Sequence, residues 1–156
     1  MKSANTKSFD SALEQYEIGE ELAPDHGPTY YGKGFVYAAR GNYSEAINNY
    51  REMIRLNGQH TGVDCYLGFA LARAGQISEA RTMLNKLETG RDYVSPVELA
   101  VLHVGLDDQD KAMSSLEKAY GTQDSQLQYL RVEPHFDSLR SDPRFAGLLQ
   151  RVGLQR

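Results

Sequence analysis

The stretch 27–57, GPTYYGKGFVYAARGNYSEAINNYREMIRLN, decides the fold. In its first half Tyr30, Gly34, Tyr37 and Ala38 recur at three and four residues, and in its second half Tyr43, Ala46, Ile47, Tyr50 and Ile54 do the same. Each half is therefore a helix with one apolar face. Gly41-Asn42 separates them, glycine being the residue that tolerates the left-handed backbone past a helix end. The pattern returns over 61–88, with Gly75-Gln76 at the turn. Ala12, Ala46 and Ala80 stand thirty-four residues apart, and the same spacing relates Phe9, Tyr43 and Ile77, then Tyr16, Tyr50 and Leu84, then Gly34 and Gly68. A hairpin of that length cannot bury its own apolar face, so the chain is an array whose neighbours supply each other's core.

Outward from these hairpins the frame predicts a half repeat at 9–24, repeats at 27–58, 61–90 and 93–120, and a tail over 122–156. Residues 1–8 are expected to be disordered or tag-like. The half repeat is a second helix without its first, which leaves Phe9, Leu13, Tyr16 and Ile18 without a covering helix. Self-association through that face, or a larger parent polypeptide, is the expected remedy. The third repeat is shifted by two residues, Ala80 to Ala112 being thirty-two. Its start is marked by Ser95 as cap, Pro96 at the first helical position and Glu98, placed to reach back to the cap backbone. The segment Val97 to Gly105 is apolar apart from Glu98 and His103, so it is expected to be buried on more than one side. Asp107-Asp108 opens the partner helix, with Ala112, Leu116 and Ala119 inward and Gly121 closing it. In the tail, Leu127, Leu130, Phe136 and Leu139 precede a last helix carrying Phe145, Leu148, Leu149 and Val152, started by Ser141-Asp142-Pro143. The tail is expected to be ordered and packed on the array.

Composition narrows the function. A net charge of −4 with singly scattered Lys and Arg gives no electrostatic footprint for nucleic acid. No run approaches the roughly 18 apolar residues of a membrane span, and MKSANTKS is not followed by a signal-like apolar segment. A cytoplasmic chain is expected, which the single Cys65 suits.

The residues of the two central hairpins resemble the tetratricopeptide repeat. Tyr30, Gly34 and Tyr37 match the large-small-large pattern of that family's first helix, and Ala46 and Tyr50 match the second; Gly68, Leu71, Ala80 and Leu84 repeat the match. Met53, Leu87, Asp64, Gly58 and Lys33 depart from it. The resemblance implies an all-α fold, a right-handed α-solenoid of antiparallel helix hairpins with a C-terminal helical extension, and a non-catalytic protein-interaction role. It places the first helices along a concave wall, so that Tyr31, Phe35 and Ala39, then Cys65, Phe69 and Arg73, then Val97, Val101 and Val104 face the groove. Tyr31 and Phe35 stand where repeats that clamp acidic tails carry polar and basic residues, so the implied ligand is an apolar peptide or helix. The segment from Tyr129 to Phe145 looks like the ending of repeat arrays attached to bacterial signalling proteins. A second reading stays open at this point, in which residues 122–156 fill the groove and the array is a structural or oligomerisation element that positions an attached catalytic or DNA-binding domain.

No constellation points to chemistry. His26, His60, His103 and His135 form no ligand-spaced pair, so no metal is expected. Cys65 lacks a basic neighbour or a second cysteine, so it is expected to be a packed thiol. Gly32 and Gly34 lie within a helix and precede no GK[ST] sequence, and Asn42-Tyr43-Ser44 sits at a repeat turn. Neither catalytic residues nor a cofactor are expected.

Overall fold

The structure is a computed structural model that describes residues 4–154. Its helices are α1 (Ala4–Leu22), α2 (Gly27–Ala39), α3 (Tyr43–Asn57), α4 (Thr61–Arg73), α5 (Ile77–Thr89), α6 (Pro96–Gly105), α7 (Gln109–Gly121) and α8 (Pro143–Val152), with short 3-10 helices at Ser125–Tyr129 and Pro134–Leu139. No strand occurs among the described residues. The fold is an all-α array of antiparallel hairpins, α2 with α3, α4 with α5 and α6 with α7, in which α4 packs on both α3 and α6. Helix α1 packs on α2 and reaches back to Ala4, ahead of Phe9 where the sequence pattern begins; residues 1–3 of the segment expected to be disordered lie outside the described residues.

Small residues set the close approaches. Ala46, Ala80 and Ala112, one per hairpin, are fully buried. A side chain at Gly34 would bring its Cβ within 2.7 Å of the Tyr50 ring, so this glycine is the hole for the second helix of its own hairpin. Gly68, one period later, instead receives Leu102 of the next hairpin, with Cβ to Cδ1 at 2.5 Å. Gly32 receives the ring of Tyr16 from α1, at 2.2 Å to Cζ, which is how the half repeat docks. Gly105 faces the backbone of Phe69, 2.7 Å to Cα, the one approach of the four whose nearest atom is main chain.

The turns follow the expected chemistry twice and then change. Gly41 and Gly75 adopt φ of +82° and +86°, whereas the third hairpin puts Asp107 at +58° in the equivalent place. A non-glycine residue tolerates this region at some cost, and aspartate is among those that do so best; its carboxylate receives the Arg73 guanidinium at 3.2 Å. Gly121 is the last residue of α7, and the left-handed residue that follows is Gln123, at +54°.

The tail runs back over the array. Leu130, Phe136, Leu139, Phe145 and Leu148 are buried to 1% exposure or less, and they belong to the same apolar core as Tyr50, Leu71, Val101 and Leu116. The second 3-10 helix lies against α2 and α6, and α8 against α7. Asp142 caps α8, its carboxylate accepting from the Arg144 N–H at 2.9 Å. Arg151 of α8 pairs with Glu117 and lies 4.8 Å over the Tyr120 ring.

Candidate functional site

Residues 124–139 lie across the first helices of the three hairpins, α2, α4 and α6. Glu133 caps the second 3-10 helix by accepting from the His135 N–H at 3.0 Å, and Pro134 fits the first position, so the polar pair is held by local geometry before it meets the wall. His135 enters a box of three rings, with centroids 4.7 Å from Phe69, 4.9 Å from Phe35 and 5.0 Å from Tyr66. Its Nδ1 lies 2.5 Å from Glu133 Oε1, and because a carboxylate at neutral pH only accepts, Nδ1 carries the proton. The Tyr66 hydroxyl donates to Glu133 Oε2 at 3.1 Å. The His135 Nε2 is buried without a hydrogen-bond partner. Burial works to raise the Glu133 carboxyl, but the hydrogen bonds and charge of His135, together with the Tyr66 hydroxyl, outweigh it and hold it below the usual carboxylate range.

The nine residues expected along the groove divide in three. Tyr31, Phe35, Ala39, Phe69, Arg73 and Val104 lie beside the crossing segment: Phe35 and Phe69 hold His135, while Ala39, Arg73 and Val104 line a cleft of about 230 Å³ next to Pro134 and Asp137. Val97 and Val101 are 5% and 0% exposed within the main core, because α6 is covered by α4, α7 and the tail at once. Cys65 is fully buried against Leu84, Leu87 and Leu102, on the side of α4 that faces α5 and α6, and so presents nothing to the groove. Burial pushes its thiol well up, with Glu98 and Asp64 adding to the effect, which leaves it un-ionised.

Tyr66, Glu133 and His135 were not foreseen as site residues. Tyr66 is one residue past Cys65, and the helical rotation between the two carries its ring towards Tyr31, Tyr50 and Phe35. Only the fold brings the Glu133-Pro134-His135 triplet, across 67 residues of chain, to Tyr66.

Two further openings share Tyr31. One, of about 430 Å³, lies between Phe9 of α1, Tyr31 and Phe35 of α2, and Tyr129 and Val132 of the tail. The other, of about 290 Å³, is walled by Pro28 and Tyr31 of α2, Met53 of α3, Val63 of α4 and Glu98 of α6, with His60 and Gly62 at its edge. Among the described residues no cluster of His, Cys, Asp and Glu is placed to hold a metal ion, and no helix is long and apolar enough to cross a membrane.

The tetratricopeptide repeat family matches residues 37–89, the span from the end of α2 through α5. The chain is also similar to the protein CTR9 homolog of Arabidopsis thaliana, 26% identical over 118 residues; the match takes in 72% of this chain but 11% of that protein, so the chain spans about a tenth of the relative's length. No solved structure matches significantly.

Proposed function

We propose that this tetratricopeptide-repeat protein, a protein-interaction module by family, works with a composite groove: its middle is filled by its own residues 124–139, and a partner segment of extended or helical form lies in the two openings that share Tyr31. The observation that carries this reading is His135, buried between Phe35, Tyr66 and Phe69 and bonded to Glu133, which makes the tail part of the wall. The apolar lining contributed by Tyr31, Met53, Val63 and Phe9 suits a segment with apolar anchors. The similarity of the tail to the endings of arrays in bacterial signalling proteins supports a place inside such a polypeptide, acting in the cytoplasm.

Peptides selected from a random displayed library against the whole chain, then mapped on the 15N-labelled protein, test this. Binders should shift Tyr31, Met53 or Val63 while leaving the slow amide exchange of 130–139 intact. Loss of that protection on binding would show a displaceable tail and overturn the composite groove.

The same burial favours a second reading, a structural element that positions an attached catalytic or DNA-binding domain; failure of any peptide to bind would select it. Ile18 and Leu22 of α1, 50% and 81% exposed, support self-association through the half repeat, which light scattering over a tenfold concentration range would detect.

A further inference from the structure

The pocket between Tyr31, Met53, Val63 and Glu98 contains an unfinished interaction. Glu98 stands where it could close a capping box on Ser95, and the structure shows only one half of that box: the Ser95 hydroxyl accepts from the Glu98 N–H at 3.5 Å and donates to Asp124 at 2.6 Å. The Glu98 side chain does not return to the cap. It leans across to α4, where a Cβ at Gly62 would lie 2.6 Å from Oε1 and 2.9 Å from Oε2, so the absence of a side chain at Gly62 makes room for the carboxylate. There it receives no hydrogen bond or ion pair from any described residue. The pocket lining carries no Lys or Arg, and its one basic group is His60, which spends Nδ1 accepting from the Gly62 N–H at 3.2 Å.

The surroundings carry charge of both signs, His60 working to lower the Glu98 carboxyl and Asp124 to raise it. Asp124 and Glu133 lie close enough for their fields to be felt at Glu98 and at the Tyr31 hydroxyl respectively. Burial raises the Glu98 carboxyl, as expected for an acid held among apolar walls without a donor. A half-buried carboxylate costs free energy until a cation and its donors complete it. The missing group must carry positive charge at its tip and methylenes behind it, because the walls that share the pocket with the carboxylate include Tyr31, Met53, Val63 and Pro28. Lysine and arginine side chains have that form, an aliphatic stem that packs on apolar surface with a charged head.

We infer that this pocket receives a Lys or Arg side chain of a partner polypeptide, its stem along Tyr31, Met53 and Val63 and its head on the Glu98 carboxylate. The inference rests on the reading of the chain as an interaction module, and it names one anchor of the bound segment. It also gives the partner's sign: a basic segment meets a chain of net charge −4.

The test titrates the 15N-labelled full chain with four acetylated, amidated heptapeptides that differ only at the central residue, Arg, Lys, norleucine or Glu, in a Gly-Ser background. The Arg and Lys peptides should shift the amides of Gly62, Val63 and Glu98, with the norleucine peptide at least tenfold weaker and the Glu peptide silent. Glu98→Gln should lower the Arg and Lys affinities tenfold without loss of fold, since the carboxylate makes no bond that the amide would break; Glu98→Ala provides a second variant of the same prediction. Equal binding of the norleucine peptide, or unchanged binding to both variants, would overturn the inference. Binding of n-butylguanidinium as tight as that of the Arg peptide would overturn the choice of a polypeptide. If library-selected peptides bind elsewhere in the groove and are indifferent to Glu98→Gln, the anchor falls while the module reading stands; if no peptide of either kind binds, both fall.

Discussion

Replacing Phe136 with alanine tests whether the tail is structural. The ring is fully buried, 6.1 Å from Phe145 between centroids, and its neighbours Leu130, Leu139 and Leu148 are likewise at zero exposure. A buried Phe→Ala change removes the transfer free energy of the ring and leaves a cavity, together about 3–5 kcal/mol. Whole domains have roughly 5–15 kcal/mol of stability, so this is a large share of the total. At about 2–4 °C per kcal/mol for a chain of this size, the Tm should fall by roughly 6–20 °C. Phe136→Leu, which keeps most of the volume, should cost under about 1.5 kcal/mol. Thermal unfolding followed by circular dichroism gives the Tm, and limited proteolysis reports whether the tail is released first. In a linear array an end element can detach while the remainder holds, so cleavage within 124–154 before the central hairpins is the expected pattern. A Tm within 2 °C of the parent would refute the argument, since no well-packed Phe in a shared core could be removed at so small a cost.

Three further outcomes follow from the same geometry. Gly105→Ala should destabilise by about 1–3 kcal/mol because its Cβ meets the Phe69 backbone, which cannot swing away, whereas Gly34→Ala meets only the Tyr50 ring and should cost less; denaturant midpoints of the two variants decide the order. Tyr66→Phe removes the hydroxyl that donates to Glu133 and should cost about 1–3 kcal/mol, read in urea, with faster amide exchange at 133–136 than elsewhere. Because the Glu133 carboxyl is held below its ordinary value, its contribution is fully present above the unfolded-state value of about 4.3 and is lost as pH falls through the lower folded value; tail protection measured from pH 6 to pH 3 should drop in that window, and Glu133→Gln should abolish the step.

The hairpins were legible in the sequence because their signals are local and repeated. Periodicity at three and four residues places Tyr30, Gly34, Ala46 and Tyr50 on inner faces whatever lies beyond, and Gly41 and Gly75 need only their own φ to mark a turn. The third turn was harder to read, since Asp107 takes the left-handed backbone without a glycine to signal it. The groove was legible only in part. Rotation about α4 decides whether Cys65 or Tyr66 looks into it, and a spacing rule carried over from a family wall cannot register a tail that approaches from one side and recruits the next residue round the helix. The destination of Glu98 was hidden for a related reason: the capping pattern is local, but the competing space above Gly62 belongs to another hairpin and exists only after folding.

The anchor of the tail is a polar pair, and that choice has physical consequences. An apolar side chain in the box of Phe35, Tyr66 and Phe69 would gain burial at many neighbouring registers, whereas Glu133 bonds to His135 Nδ1 and to the Tyr66 hydroxyl in one register only. Buried polar groups contribute little net stability when paired and cost several kcal/mol when mispaired, so they select an arrangement more than they strengthen it. The strength comes from Phe136, Leu139 and Phe145, which lie outside the box. With position and strength divided between different residues, the tail crosses the wall at a fixed place. The opening beside Phe9, lined by Tyr129 and Val132 of the tail, therefore keeps a constant shape, which is what a partner anchored there would have to match.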